Sequence, residues 1–138
     1  MTLPAELAAP SDWSRAADPS RRIGRAVEFH AAIGSTNDRA AELLRGGGEG
    51  IAVVADLQRS GRGRRGRTWM TEAGRNLAVS VGIVPHLAPA AAGLLGIAAA
   101  LAVRDACAEA ASGQLWVRWP NDVVTADGLK VAGLLVET

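Results

Sequence analysis

The chain is expected to adopt an α+β fold, with a mixed, largely antiparallel sheet and helices packed on one face. Three observations point there. AVEFHAAI (26–33) and IAVVADL (51–57) have the length and apolar content of strands and flank a helix-type pattern. NLAVSVGIV (76–84) alternates as a strand does and is followed by an alanine-rich helical pattern over 89–111. From 115 to 136, short extended runs alternate with turn residues, as in a meander. With 138 residues the chain is long enough for one domain with a real core and too short for two full ones.

Residues 1–24 carry prolines and no sustained period, so they read as a partly ordered leader with one short helix at most, and 25–138 as the domain. The first strand ends at Gly34. Ser35-Thr36-Asn37-Asp38 then has the S-x-x-D form of a capped helix start, Ala40, Leu43 and Leu44 give that helix an apolar face, and Gly46-Gly47-Gly48 stops it. In the second helix Leu94, Leu95, Ile97, Ala98, Leu101 and Ala102 form a broad face expected to be buried. LWVRW (115–119) is a strand in which Trp116 and Trp119 are expected to pack. Pro120-Asn121-Asp122 and Ala126-Asp127-Gly128 are turns, Val123 to Thr125 is extended, and 129–136 forms the last strand. The chain stops directly after that strand, so it is either a fragment or closes its sheet there.

Composition removes several classes of function. A net charge of +1 with 49% apolar residues describes a globular protein rather than a broadly basic nucleic-acid binder. Cys107 is the single cysteine, which excludes a disulfide framework and a cysteine zinc site, and fits a cytoplasmic setting. The start, MTLPAELAAPSDW, lacks the basic and apolar regions of a signal peptide. No charge occurs between Arg75 and Arg104, but Pro85 and Pro89 divide that stretch into strand, turn and helix, against a membrane span. His30 and His86 stand alone without ligand spacing, so no protein metal site is expected.

The charge is concentrated in one place. QRSGRGRRGRTW (58–69) holds Arg59, Arg62, Arg64, Arg65 and Arg67 among Gly61, Gly63 and Gly66. Glycine allows positive φ and close backbone approach, while arginine offers forked donors that fit carboxylate and phosphate. A loop of like charges between two core strands is expected to be mobile when empty and ordered by an anion; both a small-molecule site and nucleic acid fit it. Lys130 is the only lysine among fifteen basic residues, at the start of an apolar run, which suggests a task for a compact ammonium.

Taken in order, Ser35-Thr36-Asn37, Gln58 with GRGRRGRTW, Trp119-Pro120-Asn121-Asp122 and Lys130 in KVAGLLVE closely resemble the biotin protein ligases, from about Val27 to Glu137. The resemblance implies the biotin/lipoate ligase catalytic fold, similar to class II aminoacyl-tRNA synthetases and incomplete at its C-terminal end, without the DNA-binding domain of repressor-type members. It also implies ATP-dependent activation of biotin to biotinyl-5′-adenylate, then transfer to a lysine of a biotin carboxyl carrier protein or equivalent carboxylase domain. Biotin and ATP are then substrates, Mg2+ enters with ATP, neither DNA nor membrane is a partner, and a homodimer is open.

By similarity, Ser35, Thr36, Asn37, Gln58, Arg62, Gly63, Arg64 and Lys130 bind biotin, whose ureido N–H groups and carbonyl all need partners when buried. Arg62, Arg64, Arg65, Arg67, Trp69 and Asn121 bind the adenylate. Lys130, Arg62, Arg64 and Asp122 are the catalytic set, since joining a carboxylate to an α-phosphate needs positive charge where negative charge gathers. Plainer roles stay open: helix capping for Ser35 and Asn37, core packing for Trp69, an Asx turn for Asp122. Arg118 departs from the lysine that the family usually places before WPND. Two other functions fit parts of the pattern, a lipoate or octanoyl transfer enzyme of the same fold and a nucleic-acid module built on the arginine loop.

Overall fold

The computed structural model describes residues 13–110 and 113–138, arranged as two compact units, one running to Pro85 and the other starting at His86. The α+β class holds, and the strands divide into two three-stranded sheets, one per unit. The helix expected in the leader lies partly outside the described residues. Within them, Ser14–Ala16 is a single 3-10 turn and Trp13 stacks on Phe29 at 5.5 Å between ring centres.

In the first unit, β1 (Ala26–Ile33) and β2 (Ile51–Gln58) are parallel, with Ala26 opposite Ile51 and Ile33 opposite Gln58. Parallel neighbours need a crossover, and α1 (Thr36–Arg45) supplies it. Ser35 caps α1 as its sequence foretells, its hydroxyl accepting the Asp38 N–H at 3.5 Å, and the chain leaves the helix through Gly46 and Gly47, the latter at φ +84. β3 (Ala78–Val81) pairs antiparallel on the other side of β2 and is shorter than the expected 76–84. In the middle strand Ala52, Val53, Val54 and Ala55 are all buried, and a continuous apolar run replaces alternation. The helix packs on β2 and β3, and glycine at position 82 lets it do so: a Cβ there would lie 2.9 Å from the Ala40 carbonyl and 2.9 Å from the Leu44 Cβ.

In the second unit, α2 (Gly93–Ala110) follows a 3-10 turn at Pro89–Ala91 and packs on β4 (Leu115–Arg118) and β5 (Asp122–Thr125). β6 (Lys130–Gly133) completes an antiparallel meander with a bulge between Val123 and Val124. Two packing expectations are corrected here. Of the expected face, Leu94, Ile97 and Leu101 are 61%, 37% and 40% exposed and Ala98 and Ala102 are exposed too, while the more sheltered side of α2 runs through Leu95, Gly96, Ala99, Ala100, Val103 and Cys107. The helix is apolar most of the way round, so its pattern could not select a face, and small residues allow closer approach to strands. Likewise Trp116 and Trp119 are exposed: along β4 it is Leu115 and Val117 that turn toward the shielded side, and Trp119 lies beyond the end of the strand, in the turn. No helix among the described residues is long and apolar enough to cross a membrane.

Candidate active site

Two groups of the expected site residues are assembled, one in each unit. In the first, the start of α1 meets the end of β2. The Thr36 backbone N–H and hydroxyl both donate to Gln58 Oε1, at 2.8 and 2.9 Å, which fixes the amide of Gln58 against the helix N-terminus. The Thr36 hydroxyl also lies 2.7 Å from the Ser80 hydroxyl, which in turn bonds to the Asn37 carboxamide. Three contacts thus share two hydroxyl protons. Ser35 and Thr36 are buried, at 4% and 3% exposure. Such a cluster has the mixture of donors and lone pairs that a ureido ring requires.

The arginine loop begins where β2 ends. Arg59 and Ser60 donate their N–H groups to the carbonyls of Ile33 and Gly34, and the Trp69 N–H closes the loop onto the Gly61 carbonyl at 2.9 Å. Gly61 is buried, and a Cβ on it would sit 2.3 Å from the Trp69 carbonyl oxygen, so this glycine serves close approach of two backbone segments rather than a turn. Arg62 and Thr68 form a bridge, and Gly63 donates to the Arg67 carbonyl at 2.7 Å. The tip reverses through Arg65 at φ 58 and Gly66 at φ 73. The loop, expected to be mobile when empty, follows a path defined by these backbone bonds. One reason is electrostatic: Arg62 forms a two-bond fork with Asp38, at 2.7 and 3.0 Å, while Arg64, Arg65 and Arg67 are exposed, where water and salt screen their repulsion. The same fork holds the Asp38 carboxyl below its ordinary range. Trp69 is half-buried.

In the second unit, the turn between β4 and β5 contains a cis Trp119–Pro120 bond and brings three charges together. Asp122 accepts from Lys130 Nζ at 2.8 Å and from Arg118 at 3.0 Å. Burial pushes the Asp122 carboxyl up, but the hydrogen bonds from Lys130 and Arg118 outweigh it, and the net shift is downward. Asn121 donates its side-chain amide to the Leu134 carbonyl at 2.9 Å, and Leu134 returns its N–H to the Asn121 carbonyl at 2.8 Å, so this turn is anchored to the chain after β6. Arg118, the departure from the family's lysine, keeps its charge on Asp122.

Ser80, Thr71 and the Asp38 fork carry no signal of their own in the sequence and join the site only through the fold. Thr71 accepts the Gln58 N–H at 2.8 Å through its hydroxyl, extending the polar cluster. Among the described residues no group of three His, Cys, Asp or Glu side chains could hold a metal.

The chain is 44% identical over 108 residues to a biotin--[acetyl-CoA-carboxylase] ligase of Paracoccus denitrificans, a match covering 75% of this chain and 43% of that one. It is similar in structure to the biotin protein ligase of Leishmania major in complex with biotin, with a TM-score of 0.69, 31% identity, and coverage of 81% of this chain and 51% of that one. The same ligase in complex with biotinyl-5-AMP matches at a TM-score of 0.57 with 32% identity, over 82% and 52% of the two chains. The chain thus spans about half the length of these relatives, or less. With residues 30–138 matched by the family model, the chain belongs to the biotin/lipoate A/B protein ligase family.

Proposed function

We propose that the protein, acting in the cytoplasm, activates biotin with ATP to biotinyl-5′-adenylate and transfers the biotinyl group to a lysine of a carboxylase carrier domain. The observation that carries this reading is the half-buried Thr36–Gln58–Ser80–Asn37 cluster, whose helix turn also carries the Asp38 of the Arg62–Asp38 fork. A ring with two N–H donors and a carbonyl suits the cluster, and the carboxylate at the end of the same ligand suits an arginine.

In the first step a biotin carboxylate oxygen bonds to the α-phosphorus of ATP and pyrophosphate leaves. In the second, the acceptor lysine's amine attacks the acyl carbon, AMP leaves with the bonding pair, and the amine loses a proton. Both steps gather negative charge on phosphate oxygens, and in this reading Arg62, Arg64 and Lys130 stabilise it. Arg65, Arg67, Trp69 and Asn121 contact the nucleotide, and Gly63 lets the loop backbone approach it. Magnesium belongs to the ATP substrate and is held by phosphates and water.

The test is pyrophosphate exchange into ATP by the full-length protein, with biotin, lipoate or octanoate as the acid, followed by mass spectrometry of a carrier domain. Exchange that depends on biotin, and a biotinyl mass increment on the carrier lysine, are expected. Exchange with lipoate or octanoate but not with biotin would move the protein to the acyl-transfer branch of its family.

A further inference from the structure

Resting on the reading of Arg62 as the receiver of the biotin carboxylate, we propose that Asp38 is a positioning residue which sets the guanidinium plane of Arg62 for that ligand. Asp38 belongs to the first turn of α1, directly after Thr36 and Asn37, and its backbone N–H is tied to the Ser35 cap. Its carboxylate therefore has a fixed place relative to the Thr36–Gln58 cluster, and the helix N-terminus favours its negative charge there. Arg62 comes from the glycine-rich loop and reaches that carboxylate through both terminal nitrogens, Nη1 to Oδ2 at 3.0 Å and Nη2 to Oδ1 at 2.7 Å.

A guanidinium has five N–H groups in one plane. The fork engages two of them at one edge, and three lie outside it. Two parallel bonds to a rigid carboxylate fix the plane, so a flexible side chain on a glycine-rich loop is oriented before any ligand arrives. Asp38 also repels an anionic ligand. That repulsion acts through solvent over a longer distance, since the side chains of Arg62 and Asp38 are 40% and 62% exposed, whereas the fork that sets the orientation is two contact hydrogen bonds at 2.7 and 3.0 Å, which water and salt weaken less than they weaken charges farther apart. Orientation therefore dominates, and removing the carboxylate costs affinity.

The experiment is calorimetric titration of the full-length protein with biotin and with its uncharged methyl ester, in wild type, Asp38→Asn and Asp38→Glu. Wild type is expected to prefer biotin; Asp38→Asn is expected to lose about three- to tenfold in biotin affinity with the ester unaffected, and Asp38→Glu to recover part of the loss. Biotin affinity unchanged or improved in Asp38→Asn overturns the proposal, as does an equal loss for the ester, which would mark damage to the helix start. A wild type that binds biotin and ester equally, or neither, overturns the reading of Arg62 together with this inference, and so is distinct from failure of the inference alone.

Discussion

At Asp122 one carboxylate serves two cations, and its lowered pKa keeps it ionised at neutral pH while making it a weak base. Its bonds to Lys130 and Arg118 suit it to orienting an ammonium more than to accepting a proton. Asp122→Asn should accordingly slow transfer to the acceptor lysine more than adenylate formation, measured as separate half-reactions; equal losses would point to a turn residue only. Lys130 presents a compact ammonium 2.8 Å from Asp122 Oδ1. An arginine there would take Asp122 as a planar fork and displace the charge, so Lys130→Arg should lower adenylate formation about 100-fold while leaving the melting temperature unchanged. Pyrophosphate release at the wild-type rate would exclude that role. These residues were legible in the sequence because a lone lysine and a proline turn announce themselves locally. Ser80 and the Asp38–Arg62 fork were not, since each joins residues whose meeting depends on strand register and loop closure.

Among the elements, α1 is joined to β1 by an ionic cluster. Arg39 reaches Glu28 through Nε at 2.7 Å and Nη2 at 3.0 Å, and His30 Nε2 lies 2.6 Å from the same carboxylate. The Arg39 hydrogen bond is the main cause that lowers the Glu28 pKa from 4.5 to about 2. Because the folded carboxyl titrates below its unfolded counterpart, its stabilisation is full above 4.5 and is lost as pH falls toward 2. Thermal unfolding followed across that window should show a falling midpoint, and Glu28→Gln should flatten the fall; an identical slope in the variant would assign it to other acids. In the arginine loop, Gly61→Ala forces a Cβ against the Trp69 carbonyl oxygen at 2.3 Å. A loss of about 1–3 kcal/mol in stability is expected, read by denaturant unfolding, with weaker biotin binding, and a variant as stable as wild type would show that the loop can shift. The limits of α1 and β1 were readable because Ser35 and the glycines mark them. The face of α2 was not, because an alanine-rich helix offers no contrast between its sides.

For the whole molecule, the sequence carried the order of strands and helices but not their division into two sheets, since a period-2 pattern marks a strand without naming its neighbour. The candidate residues are divided in the same way, with Ser35 to Trp69 in the first unit and Asn121 to Lys130 in the second. No backbone ladder among the described residues runs from one sheet to the other. Separate opening events for the amide protons of the two sheets are therefore expected, so that a fluctuation releasing β4, β5 and β6 leaves β1, β2 and β3 protected. Native-state hydrogen exchange should resolve two sets of protection factors, with the amides of Val53 to Ala55 in one and those of Val123 and Val124 in the other. A single common opening energy for both sets would mean that the chain unfolds as one cooperative body.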